Sequence, residues 1–204
     1  MMRRAAPTHR SSLASRAGFT IIELLMVVVI ASVMMAILVP RFRISPATEV
    51  QLAAMQMAQD IDLARTRALS TRSLVRVTFL AGARSYTGYL DNDSNGAIGE
   101  TQTERDALRG FATRTLPTRI VFGRGSSTAV PDDAGSGAIT FSGARVEFDS
   151  RGLTMPMGVG GVVYLIQETS ASAIAAVAVS PAGNVRLWTW HNRSEERRVG
   201  KECA

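Results

Sequence analysis

The chain of 204 residues holds one cysteine, two histidines and one lysine. A single cysteine excludes a disulfide scaffold and any multi-cysteine zinc site. His9 and His191 supply too little imidazole for a histidine-based metal centre or a Ser-His-Asp triad. No nucleophile–base pair stands out elsewhere, so an enzymatic reading has no residues to rest on, and no cofactor is implied. Charge is missing too, but only locally: residues 24–39 contain no Asp, Glu, Lys or Arg. With hydrophobic residues at 46% and charged residues at 20%, the chain as a whole is not a disordered one. Its length suits one domain, or a small domain plus an anchor.

The formal net charge of +6 divides unevenly. Residues 1–18 carry Arg3, Arg4, Arg10 and Arg16 and no acid, residues 193–204 add a net +1, and 19–192 hold 15 Arg against 14 acids. The basic character therefore belongs to a leader. Bulk charge gives no nucleic-acid footprint for the domain.

The last dozen residues differ from the rest. Lys201 and Cys203, the chain's only Lys and Cys, both lie in Arg-Ser-Glu-Glu-Arg-Arg-Val-Gly-Lys-Glu-Cys at 193–203. That string resembles the translation of a common short-read sequencing adapter. Residues 193–204 are read as foreign and set outside the functional argument; the alternative is a solvated, charged tail.

The N-terminus carries the strongest pattern. A polar, basic stretch ends in Ala17-Gly18, and an apolar run follows, opening Phe19-Thr20-Ile21-Ile22-Glu23-Leu24-Leu25. Residues 19–39 would span ~32 Å as a helix, enough to cross a bilayer. Arginines ahead of the run keep that side cytoplasmic and send the remainder outward. A secretory signal is cut after its apolar region at small residues. Here the polar-to-apolar junction precedes the run, at Gly18/Phe19, and Val39-Pro40-Arg41-Phe42 offers no such site.

Glu23 argues against a plain signal-anchor. An acid inside an apolar span costs on the order of 2–3 kcal/mol at mid-membrane and needs a partner. Cleavage after Gly18 would create an α-amine on Phe19. The amine of one subunit could neutralise Glu23 of its neighbour and set the register between them.

Gly-Phe-Thr-Ile-Ile-Glu-Leu-Leu at 18–25 resembles the class III signal of type IV pilins and type II secretion pseudopilins. The resemblance implies that a prepilin peptidase cuts between Gly18 and Phe19, that Phe19 is N-methylated, and that Glu23 is the assembly carboxylate. It also implies a proline near the end of the membrane segment. Pro40 fits and would kink or locally melt the helix.

Beyond Pro46, Val50, Ala54, Met57, Ile61, Ala64 and Ala68 recur at helical spacing, which predicts a helix over 47–72 with this face against a sheet. Asp60, Asp62, Arg65, Arg67 and Arg72 read as its solvated side. After Ser73 the period falls to two. Strands are predicted at 74–80, 85–90, 109–115, 119–122, 138–141, 146–149, 162–167, 174–179 and 185–190, with turns at Ala81-Gly82, Ser142-Gly143 and Pro181-Ala182-Gly183 and a long polar surface loop over 123–137. One long helix followed by short antiparallel strands is an α+β fold. The expected organisation is a leader at 1–18, a membrane and assembly helix at 19–39, a periplasmic half of the helix at 40–72, and a β-rich domain at 73–192.

This strand region resembles the GspH/FimT family of minor pseudopilins and minor pilins. The pieces are the helix running into Leu74-Val75-Arg76-Val77-Thr78-Phe79, then Phe148-Asp149-Ser150-Arg151-Gly152, then Val179-Ser180-Pro181-Ala182-Gly183-Asn184-Val185-Arg186. The resemblance implies a subunit at the tip of a periplasmic pseudopilus, inserted in the bacterial inner membrane with its domain in the periplasm. Its implied partners are a prepilin peptidase, other pilin or pseudopilin subunits, an inner-membrane assembly platform and lipid. A minor type IV pilin, for pilus priming or DNA uptake, is the first alternative. A signal-anchored periplasmic enzyme is the second.

Two stretches hint at ligands. Asp91-Asn92-Asp93-Ser94-Asn95-Gly96 matches the first half of a calcium loop, with Asp91, Asp93 and Asn95 as ligands. The twelfth position, where a bidentate acid belongs, is Gln102, and Glu100 and Glu104 are out of phase. The stretch therefore reads first as a tight turn and second as a weak cation site. Some members of the resembled family bind DNA through a Gly-Arg-x-Arg element. Here the matching positions are Gly183-Asn184-Val185-Arg186, with Asn in place of the first Arg. Arg186, beside Trp188 and Trp190, could contact a strand, but an ordinary edge strand with packed aromatics is favoured. Gly158-Val159-Gly160-Gly161 lacks the Lys and following helix of a phosphate loop and reads as a turn.

Overall fold

The computed structural model describes residues 19–38, 45–111, 113–131, 133, 135–191 and 195–198. They fall in two units, divided between 43 and 44. The first contributes α1, Ile21–Leu38. The expected junctions at Gly18 and Pro40 lie outside the described residues.

The second unit begins at Ser45, whose hydroxyl accepts a hydrogen bond from the Thr48 N–H at 3.2 Å. Pro46 follows at the first helical position, where its missing N–H is no loss. Thus Pro46 starts a helix. α2 runs Pro46–Thr71 and stops at Arg72, which is left-handed at φ 56°. All six residues of the predicted stripe are buried in it. The stripe is rich in alanine, so the helix backbone can approach the strands closely.

Ten strands follow: β1 (Val75–Leu80), β2 (Ser85–Leu90), β3 (Arg114–Thr115), β4 (Ile120–Phe122), β5 (Arg145–Phe148), β6 (Thr154–Met155), β7 (Gly161–Gln167), β8 (Ser170–Val179), β9 (Val185–His191) and β10 (Glu195–Arg198), with α3 (Gln102–Ala107) between β2 and β3. They form two five-stranded sheets, ordered β3-β2-β1-β5-β6 and β10-β9-β8-β7-β4, and the strand pairings among the described residues are all antiparallel. The α+β expectation holds, with two sheets sharing one helix. α2 touches β1 of one sheet and β7, β8 and β9 of the other. Val75, Val77, Phe79, Phe148, Val163, Leu165, Ala175 and Val177 join the α2 stripe in one core.

Several predicted strands shrink. Of 109–115 only Arg114–Thr115 pairs, because Phe111 turns inward and is fully buried. Phe111 meets Tyr86 edge-on at 5.8 Å. It and Leu108 fill the space over Gly88, where a Cβ would sit 2.4 Å from a Leu108 methyl. Of 138–141 only a single bridge, Ile139 to Val163, remains. The 123–137 loop is also more than a surface excursion. Val130 is buried, its N–H donates to the Tyr164 hydroxyl at 3.3 Å, and that hydroxyl donates to Asp133 at 2.5 Å. Arg124 lies 4.9 Å over the Tyr164 ring and pairs with Asp133 at 3.3 Å. The loop is thereby held on the sheet face away from α2. β10 lies in the segment read as foreign and pairs with β9, Glu195 opposite His191. A free sheet edge offers its N–H and C=O groups to any extended segment that follows.

Candidate functional site: the N-terminal helix and the outer sheet faces

α1 is apolar on every side and buries none of its residues. Its 18 residues extend ~27 Å, close to the thickness of a bilayer core. A helix in lipid must satisfy its own polar groups. Ser32 does so, donating to the Val28 carbonyl at 2.7 Å. At the start, the Thr20 carbonyl accepts from the N–H groups of Glu23 and Leu24, each at 3.1 Å, and its hydroxyl accepts from Glu23 N–H at 3.3 Å. That is half of a capping box. The other half is not made. The Glu23 carboxylate has no hydrogen-bond or ion-pair partner among the described residues, and Phe19 before it is 81% exposed. Glu23 is thus an acid on an apolar helix with nothing among the described residues to neutralise it.

Arg186 and Trp188 stand opposite Ala178 and Ala176 in the register of β8 and β9. Both line a cavity of about 460 Å³ with Pro131, Val159, Val162 and Pro181. Trp188 and Trp190 pack on Val130, Val162, Tyr164 and Ala176. Trp190 donates from its indole N–H to Thr128 at 3.4 Å. The aromatics serve the packing under the 123–137 loop, and Arg186 is exposed beside them.

The Asp91–Gly96 stretch folds as a tight loop. Gly96 N–H donates to Asp91 Oδ2 at 2.9 Å, Asn95 N–H to Asp93 Oδ1 at 3.3 Å, and Ala97 N–H to Asn95 Oδ1 at 2.8 Å. Burial pushes the Asp91 carboxyl up, but N–H groups of the loop more than offset this and hold it below the usual aspartate range. No three His, Cys, Asp or Glu side chains gather as a metal site among the described residues.

Three further polar clusters escaped the sequence reading. Asp60, expected on the solvated side of α2, is buried; it accepts from the Tyr86 hydroxyl at 2.7 Å and pairs with Arg114 at 3.3 Å. Burial, then Asp60, pushes the Tyr86 phenol well above its usual range. Arg65, also expected to be solvated, donates to the carbonyls of Gly152 and Ala182 and to Asn184, at 3.1, 3.2 and 3.3 Å. Glu104 is buried in a complete capping box with Thr101, a signal legible as Thr-x-x-Glu.

Residues 13–39 match the family model described as the prokaryotic N-terminal methylation motif. The chain therefore carries that motif at the head of an apolar helix, with a second helix and antiparallel sheets behind it. Solved structures similar to it include the type IV minor pilin FimU of Pseudomonas aeruginosa, at 13% identity over 73% of this chain and 92% of that one, with a TM-score of 0.46. Another is the minor pseudopilin EpsH from the type 2 secretion system of Vibrio cholerae, at 12% identity over 69% and 97%, also with a TM-score of 0.46. Likeness at that level adds nothing to the functional argument. No curated protein matches the chain.

Proposed function

We propose that the chain is a minor pseudopilin of a type II secretion system, which assembles at the tip of a periplasmic pseudopilus. In this reading residues 19–39 hold it in the bacterial inner membrane, N-terminus cytoplasmic and domain periplasmic. Prepilin peptidase cuts after Gly18, Phe19 is methylated, and Pro40 gives the flexibility needed on extraction. Other pseudopilins then pack against the apolar helix, docked through the assembly platform. The work is assembly rather than catalysis.

One observation carries the proposal: Glu23 is exposed at the head of an apolar helix, within the matched motif, with no partner among the described residues. An ion needs a counter-charge in low dielectric, and the amine that cleavage creates on a neighbouring subunit supplies it. Co-expression with a prepilin peptidase tests this. The expected product begins at Phe19 and carries one extra methyl group on its amine. A chain that keeps residues 1–18 under those conditions sinks the proposal and returns the signal-anchor reading.

A further inference from the structure

The register of the second sheet leaves a hollow on its outer face. Ala178 stands between Val162 and Arg186, and Ala176 between Tyr164 and Trp188. Alternation puts these six residues on one face, and each alanine is the small member of its row. Val162, Ala178, Arg186 and Trp188 line the cavity of about 460 Å³, with Val159 and Pro181 beside them.

Two hydrogen-bond donors of this cavity are unanswered. Arg186 is exposed and makes no hydrogen bond or ion pair among the described residues. The Trp188 indole N–H is buried and has no acceptor among them either, whereas that of Trp190 donates to Thr128. A buried donor calls for an acceptor, and a guanidinium beside it calls for a negatively charged one. The remaining surface is apolar and continues past the cavity. Val159 is 47% exposed and Met157 64%. Val159 also lines a second cavity, of about 270 Å³, with Phe141, Met155 and Pro156. Two hollows that share a residue suit an extended chain, whose alternate side chains stand on one side; a compact ligand would fill only one. A nucleic-acid strand would want a row of free cations. Arg145, in the second cavity, is already paired with Glu147 at 3.3 Å.

We propose that this face docks an extended segment of another protein that carries an acid among apolar residues. Its carboxylate meets Arg186 and the Trp188 indole N–H, and its apolar side chains enter the hollows on either side of Val159. Exposed methionines at the rim suit such a surface, because their side chains adapt to the one they meet.

The test uses the chain's two tryptophans, Trp188 and Trp190. Their indole N–H signals report on the cavity by NMR, and Trp190→Phe assigns them. The full chain in lipid nanodiscs is titrated with the blocked peptide acetyl-Leu-Glu-Ser-Leu-amide and with its Gln counterpart. The Trp188 signal should move with a dissociation constant of about 1 mM. The Glu peptide should bind roughly three- to fivefold more tightly than the Gln peptide at low salt, the range for an exposed ion pair. Arg186→Gln should remove that preference, and Val159→Glu should weaken binding of the Glu peptide about threefold or more. Arg186 and Val159 are both exposed, so neither change disturbs the core. No movement of the Trp188 signal up to about 20 mM Glu peptide, equal binding of the two peptides, or an unchanged preference in Arg186→Gln overturns the proposal. So does a single-stranded DNA that moves the signal where the peptide does not. None of these outcomes touches cleavage at Gly18, so this inference and the assembly reading stand or fall separately.

Discussion

Asp60 and Glu23 are both acids on helices with apolar neighbours, and their partners decide what each can do. Asp60 faces the core, and Tyr86 and Arg114 answer it from two strands. Tyr86→Phe keeps the ring and removes the donor. It should lower stability by about 1.5–3 kcal/mol, the range for a hydrogen bond to a charged group, read from chemical denaturation. Glu23 has no such answer among the described residues. Glu23→Ala should leave the unfolding midpoint of the domain unchanged and prevent incorporation into fibres, read by co-purification with partner subunits. Normal incorporation of that variant would falsify the assembly role of the carboxylate. Glu23 was legible because an acid inside an apolar run is conspicuous. Asp60 was not, because a buried acid and a surface acid look alike when only apolar residues mark the stripe. Its partners lie 26 and 54 positions along the chain.

Between elements, Arg65 ties α2 to the turns that end β5 and β8. Its three hydrogen bonds reach Gly152, Ala182 and Asn184, which lie in the two segments that carried the GspH/FimT resemblance. Gly183 has φ +78°, and a Cβ there would meet the Gly152 carbonyl oxygen at 2.1 Å, so the turns meet too closely for any other residue. Arg65→Ala should raise amide exchange over 149–153 and 180–185 while leaving β1–β2 protected. Arg65→Lys should not restore protection, because a point charge cannot replace a three-way planar fork. The α3 cap answers to acid. Burial pushes Glu104 up, but the N–H groups of Thr101 and Gly99, the Thr101 hydroxyl and Arg76 hold it below the usual glutamate range. The unfolded chain then takes up this proton more readily than the folded one. The stabilisation is present above about pH 4.3, the ordinary glutamate value, and is lost as pH falls through the lower folded value. Stability should therefore be level from neutrality to about pH 5 and decline below about pH 4, with a shallower decline in Glu104→Gln. Alternation made β1, β2, β7 and β9 readable. The two-residue strands β3 and β6 hold no period to read, and α3 was announced only by Thr101-x-x-Glu104.

At the scale of the molecule, the division of the strands into two sheets was not legible, because sheet membership follows from pairings such as β1 with β5, about 70 residues apart. The charge partition was legible and bears on the rival reading as a DNA-binding minor pilin. Residues 19–192 hold 15 Arg against 14 acids. Arg76, Arg84, Arg114, Arg124, Arg145 and Arg151 are already engaged in ion pairs. Arg186 is exposed beside Trp188 with no ion pair among the described residues, and the position where the family element has a further Arg is Asn184, which accepts from Arg65. Duplex affinity falls with a slope of about −0.9 per phosphate neutralised, so one or two contacts give weak binding with a shallow salt dependence. The cleaved chain is the right sample, since the four arginines of 1–18 would bind DNA by themselves. It should show no retention of duplex or single-stranded DNA above about 100 mM salt, and Arg186→Ala should change nothing. Micromolar binding with a steep salt slope that Arg186→Ala flattens would move the chain from secretion to DNA uptake, because the outer face of β9 would then be a nucleic-acid surface despite its near-neutral domain.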